Sequence, residues 1–222
     1  MNFLALDFTN QIYSVTCMKN NKISTEYKAI KKENTKYILY AIKKTLHDVN
    51  LLLSNVNYFV FNKGPGSLLG LRISIAIIQG LSFANNLPVL GISALHILAQ
   101  KIFTHTNCKK VLIAINFSKN LINWAVYQKD NNTIEILKEH FSTPKKLLSL
   151  IYYIPNIQII SGNSWEKYQS LKNFVQINAN IVYVKNIFSS SQDIVTLANF
   201  CFSHKKNFLC KELLYKKNFF NF

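Results

Sequence analysis

Acidic side chains are scarce in this sequence. Its 222 residues carry 10 Asp and Glu against 26 Lys and Arg, a formal charge of +16. Arginine is scarcer still: Arg72 stands alone, so every other strongly basic residue is Lys. The four cysteines, Cys17, Cys108, Cys201 and Cys210, form no Cys-x-x-Cys pair, which argues against a thiolate metal site and reads as reduced thiols. The five histidines form no pair three or four residues apart, so a helical metal motif is absent, and no Gly-x-Ser-x-Gly nucleophile turn occurs. No apolar run reaches the 18 or so residues of a spanning helix, because the richest stretch, 68–80, is broken by Arg72 and Gln79. The N-terminus has no basic segment and carries Asp7 early, so no signal peptide is expected and the reading is cytoplasmic.

What is abundant needs care. Lys, Asn, Ile, Phe and Tyr make up 105 of the 222 residues. All five have codons rich in A and T, so much of the Lys excess reads as codon bias rather than a binding patch. The shortage of Asp and Glu has no such explanation. The length suits two lobes, each able to bury a core without staples.

Residues 1–7 read as a buried strand, and 13–18 and 22–29 as two more, joined by a tight turn at Asn20-Asn21. A helix follows over 33–50, a strand over 58–62, a helix from Ser67 to about Asn85, a strand over 88–92 and a helix over 94–103 capped by Ser93. The order βββαβαβα predicts a mixed sheet with helices on its faces, as in the ribonuclease H-like lobe of the actin superfamily. The second half is expected to hold strands at 111–116, 122–128, 133–139, 157–161 and 181–184. A helix should start at Pro144, and another should follow a capping box at Ser190–Asp193. This divides the chain into a first lobe, 1–104, and a smaller degenerate second lobe with its tail, 105–222.

The densest signal is Gly64-Pro-Gly-Ser-Leu-Leu-Gly-Leu-Arg72, with three of the six glycines and the single arginine. A Gly-Pro-Gly turn from strand into helix presents backbone N–H groups that can bind an anion. Asp7, Lys63, Gly64, Gly66, Ser67 and Arg72 are the candidate anion or nucleotide contacts. The alternative is a structural turn whose Arg ties down a neighbouring loop. The helix beyond it has only Arg72, Ser74, Gln79 and Ser82 as polar side chains over 68–84, with small residues repeating at Gly70/Ser74 and Ala76/Gly80/Ala84. One face would cover the sheet and the other a partner helix, or else the chain's own first helix covers it. Asp7 is the only acidic residue of the first lobe well placed for magnesium, too few carboxylates for phosphoryl transfer. No catalytic residue is assigned.

These features resemble the bacterial tRNA threonylcarbamoyladenosine biosynthesis protein TsaB (YeaZ) family, whose pattern is a GRGPGSFTGVRIG-like run, then QGLA, then P-x-x-G-x-S. The matching residues are Gly64, Pro65, Gly66, Ser67, Gly70, Arg72, Gln79, Gly80, Leu81, Pro88, Gly91 and Ser93, and beyond residue 100 the match is loose, the tail at 212–216 included. The resemblance implies a two-lobed actin-like ATPase fold and a non-catalytic relative of TsaD, the subunit that modifies adenosine 37 of tRNA. It implies pairing with TsaD through first-lobe helices, here Gly70, Ser74, Ile77, Gly80, Leu81, Ala84, Tyr37 and Ala41. It also implies a larger assembly with the ATPase TsaE. No cofactor is expected on this chain alone, with ATP or ADP entering at the level of the complex. A homodimer is expected when the partner is absent. Departures are Asn34 where the family has His, Asn116-Phe117-Ser118 and Leu121 where it has Asp-Ala-Arg and Glu, and Asp7-Phe8-Thr9 without a phosphate-loop Gly. Two other readings compete. One is a stand-alone actin-like ATPase or small-molecule kinase. The other is a charge-driven RNA-binding protein, set against six scattered Lys-Lys pairs and no RNP1 signature.

Overall fold

The structure is a computed structural model that describes residues 1–29, 35–130, 133–203 and 214–215. The chain opens as expected, with β1 (Asn2–Asp7), β2 (Ile12–Lys19) and β3 (Lys22–Ala29). Asn20 and Asn21 turn the second hairpin with φ of 47° and 72°, the left-handed pair that matches the strands' twist. Next come α1 (Thr35–Asp48), β4 (Tyr58–Asn62), α2 (Leu68–Asn85) and β5 (Val89–Ile92). The chain continues through α3 (Ala94–His105), β6 (Lys110–Asn116), β7 (Ile122–Asp130), β8 (Thr133–Ser142), α4 (Pro144–Ile151) and β9 (Ile159–Ser161). It ends with α5 (Ser164–Lys167), α6 (Gln169–Ile177), β10 (Val182–Val184), α7 (Ser191–Ser203) and β11 (Leu214–Tyr215). Asn34 and most of the tail from His204 lie outside the described residues.

Two compact units result: Met1–Ser93 with Ser189–Phe222, and Ala94–Phe188. The sequence-based division at 104/105 differs in two ways. Helix α3 packs on β6 and β7, burying Leu95, Leu98, Ala99 and Ile102 with Val111, Ile113 and Ala125, so it belongs to the second unit. Helix α7 returns to the first unit, against β1, β2 and β4.

In the first unit the strand order is β11-β5-β4-β1-β2-β3. Strand β1 pairs antiparallel with β2 and parallel with β4, as the meander followed by βα units predicts. Alternation sorts the two faces. Leu4 and Leu6 of β1, Val15 and Cys17 of β2, and Phe59 and Phe61 of β4 meet Ile38, Ala41 and Ile42 of α1 and Ile78 of α2. The opposite face takes α7: Phe3 packs at a tilt against Phe202, and Thr16 Oγ1 is 2.7 Å from Ser191 Oγ. In the second unit the order is β10-β9-β6-β7-β8, with β6–β7 and β7–β8 antiparallel and β9 parallel to β6. That repeats the core topology of the first sheet, as a shortened copy would. Helices α5 and α6 were not foreseen. The i, i+3, i+4 spacing of Leu171, Phe174 and Val175 was the signal for α6.

Candidate functional site

Period-two alternation puts Asp7, the last residue of β1, on the α7 face, where it is fully buried. Its Oδ1 accepts from Thr9 N at 3.0 Å and Thr9 Oγ1 at 2.6 Å. Its Oδ2 accepts from Ser189 Oγ at 2.5 Å and Asn62 Nδ2 at 3.2 Å. Asn62 Oδ1 in turn accepts from Gly64 N at 2.9 Å, and Asn10 Nδ2 donates to Ser189 O at 3.0 Å. Four donors from the chain itself saturate the carboxylate. Asp7 therefore ties together β1, the end of β4, the Gly64 turn and the entry to α7, and no lone pair faces solvent for a metal or nucleotide.

The Gly64–Ser67 turn is held from below. Gly64 has φ of 91°, a conformation that favours glycine. Ser67 N donates to Thr9 O at 2.9 Å, and Ser67 Oγ accepts from Gly70 N at 3.3 Å as the helix N-cap. A Cβ on Gly66 would lie 2.6 Å from Thr9 Cβ, and one on Gly70 only 1.7 Å from Phe8 O. These glycines serve the close approach of the turn and helix to the β1–β2 loop. Lys63, Gly66, Ser67 and Arg72 are exposed, whereas Asp7 and Gly64 are buried, so the six candidate contacts do not converge on one surface. Among the described residues Arg72 makes no hydrogen bond or ion pair, so it ties down no loop among them.

Helix α2 carries the open surface. Of its 18 residues only Gly70, Ser74 and Ile78 are buried. It is long and apolar enough, by length and composition, to cross a membrane. This departs from the expectation drawn from unbroken apolar runs, because Arg72, Ser74, Gln79, Ser82 and Asn85 do not bring the 18-residue average below that mark. Opposite Ile78 runs a stripe of Leu69 (49% exposed), Ala76, Gly80 and Phe83 (82% exposed). A Cβ on Gly80 would meet nothing within 4 Å. On α1, Leu39 and Tyr40 are exposed.

The expected interface residues therefore separate. Gly80 and Ala84 lie on the open face. Ile77, Leu81 and Tyr37 are half-buried against the unit's own core, and Tyr37 Oη donates to Tyr27 O at 3.2 Å. Gly70, Ser74 and Ala41 are buried inside the unit. The reason is geometric. Repeats of four drift round a helix of 3.6 residues per turn, so Gly70/Ser74 and Ala76/Gly80/Ala84 occupy different sides. The alternative that α1 covers α2 does not hold for this stripe. Phe83, Leu69, Leu39 and Tyr40 were missed; spacing of 7, 11 and 14 residues from Leu69 was the signal available for the α2 members.

The family model described as TsaD, tRNA N6-adenosine threonylcarbamoyltransferase, matches residues 24–219. A relative named tRNA threonylcarbamoyladenosine biosynthesis protein TsaB, from Buchnera aphidicola of Schizaphis graminum, is 35% identical over 74% of this chain and 79% of its own. The protein of the same name from Buchnera aphidicola of Baizongia pistaciae is 28% identical over 96% and 94%. The Escherichia coli K12 protein of that name is 32% identical over 60% and 58%. The structure of YeaZ from Pseudomonas aeruginosa superposes with a TM-score of 0.76 at 24% identity, over 92% of this chain and 95% of that one. The chain shares the fold of that YeaZ structure, and its two units, each a mixed sheet with helices, are the α/β architecture that the sequence led us to expect.

Proposed function

Since the chain belongs to the TsaB (YeaZ) family and has a role in the biosynthesis of threonylcarbamoyladenosine in tRNA, we propose that it acts there as a non-catalytic scaffold that docks a TsaD-like catalytic subunit on the open face of α2. The observation that carries this reading is the apolar stripe Leu69–Ala76–Gly80–Phe83, largely solvent-exposed on a helix that buries three of its 18 residues. A large aromatic left 82% exposed beside an open glycine is suited to receiving another helix. The saturated Asp7 carboxylate supports the non-catalytic part, because it offers nothing to a magnesium–nucleotide complex. We assign no cofactor to this chain alone. ATP or ADP enters at the level of the complex, which also holds a TsaE-like ATPase and through which tRNA is reached. The setting is cytoplasmic. Without the partner, a second copy of the chain covers the same stripe.

The test is co-purification with the TsaD-like subunit, followed by threonylcarbamoyl transfer to adenosine 37. Phe83→Asp and Gly80→Leu are expected to abolish co-purification and lower transfer while the thermal midpoint of the free chain does not fall. Retained co-purification with both variants would refute this face as the docking site.

A further inference from the structure

Six Lys-Lys pairs scattered along the sequence look like dispersed charge, but the fold of the second unit gathers two of them. Lys145 and Lys146 stand exposed in the first turn of α4. Lys109 and Lys110 adjoin the segment that follows α4: Lys110 Nζ donates to Pro155 O at 3.0 Å, and Lys110 N donates to Gln158 Oε1 at 3.2 Å. The pairs thus bracket a helix of eight residues, about 12 Å long. Just beyond its end Tyr152 and Tyr153 project into solvent, 75% and 80% exposed. Tyr152 is steadied edge-on by Phe174 of α6, at 6.1 Å between centroids. The surface of α6 adds exposed Lys172.

No Asp or Glu occurs in 144–158 or 169–177. Protein surfaces ordinarily intersperse both signs, so a lysine-bearing layer without a carboxylate is unusual. Glu166, between these segments, is engaged with Tyr183, whose phenol burial and that carboxylate together hold above its ordinary range. AT-rich codons account for lysine and tyrosine, but they do not account for the missing acids or for adjacent tyrosines left open.

We propose that this α4–α6 face is an RNA-binding surface, with its lysines on phosphates and Tyr152 and Tyr153 stacked on unpaired bases. The inference rests on the reading that the chain serves tRNA modification. It goes further in giving the chain its own direct contact with the tRNA. Lysines bind phosphate as point charges with salt-sensitive affinity, and unpaired bases are the ones an aromatic ring can reach.

The test is binding of an unmodified tRNA transcript to the full chain across a salt series. Changing Tyr152→Ala and Tyr153→Ala together should weaken binding roughly tenfold or more. Tyr152→Phe with Tyr153→Phe, which keeps the rings, should retain it. Lys145→Gln with Lys146→Gln should flatten the slope of log affinity against log salt by about one to two. Lys19→Gln with Lys43→Gln, the same charge change on the first unit, should do less. Equal losses from the two lysine pairs would overturn the proposal in favour of diffuse charge. So would polyglutamate competing as well as tRNA does for free chain. If the tyrosine variants bind tRNA normally but lose the TsaD-like subunit, the face is a protein interface and the proposal fails. Failure of the scaffold reading is separable, because Phe83→Asp would then leave both co-purification and tRNA affinity intact.

Discussion

Replacing Asp7 by alanine would strand the donors of Thr9 and Ser189 in a site without solvent, whereas Asn62 Nδ2 would keep Thr9 Oγ1 and Ser189 Oγ, each at 3.0 Å. Leaving buried partners unpaired should cost about 3 kcal/mol, read as a lower midpoint in urea unfolding. If Asp7 instead served a nucleotide, stability would hold or rise and ATP binding would fall, so the two roles separate in one experiment. Cys17 makes the same point for a nucleophile. Burial pushes its thiol up to about 12 from 9.0, so at pH 8 it should resist iodoacetamide until the chain unfolds. The sign of the linked stability follows. Below about pH 9 the thiol is protonated in both states and nothing is lost. Above it the unfolded chain releases the proton first, so stability falls as pH rises toward 12. Cys17→Ala should remove that alkaline loss, and a midpoint equally pH-sensitive in the variant would contradict the assignment.

At the scale of the element, α2 answers two demands with glycines on different faces, nearly three turns apart. Gly70 faces inward, and Gly70→Ala would force a Cβ into the Phe8 carbonyl, costing about 1–3 kcal/mol by overpacking. Gly80 faces open space, so Gly80→Leu should raise the stability of the free chain by about 0.5–1 kcal/mol, through helix propensity. Opposite signs in thermal melts of these two variants are the expected outcome. Destabilisation by both would mean that the stripe is covered within the chain. The start of α2 was legible because Gly-Pro-Gly-Ser is a turn and cap with local causes. Which of its glycines faced the sheet was not, since that depends on how the β1–β2 loop sits beneath the helix.

For the whole molecule, the decisive event is the return of the chain to its first sheet. Ile194, Val195, Leu197, Ala198 and Cys201 of α7 are buried, and Ser189 Oγ donates to Asp7 at the entry. A fragment ending at residue 104 should therefore fail to fold cooperatively, despite containing the βββαβαβα order, because one face of its sheet would be bare. Circular dichroism of that fragment against the full chain checks this. A sharp unfolding transition in the fragment would show that α7 is dispensable.

By itself the sequence determined most of the strand–helix order, α5 and α6 excepted, with the tight turns and the family, because alternation, helical spacing and Gly, Pro and Asn conformations act over a few neighbouring residues. Tertiary structure decided what those elements cover. It put Asp7, a candidate ligand, into a saturated buried knot with Asn62 and Ser189, 55 and 182 residues away. It moved α3 to the second unit and α7 to the first, and it gathered Lys109, Lys110, Lys145 and Lys146 around one helix. Each outcome depends on contacts between segments far apart in the chain, where burial and hydrogen-bond satisfaction override any local preference.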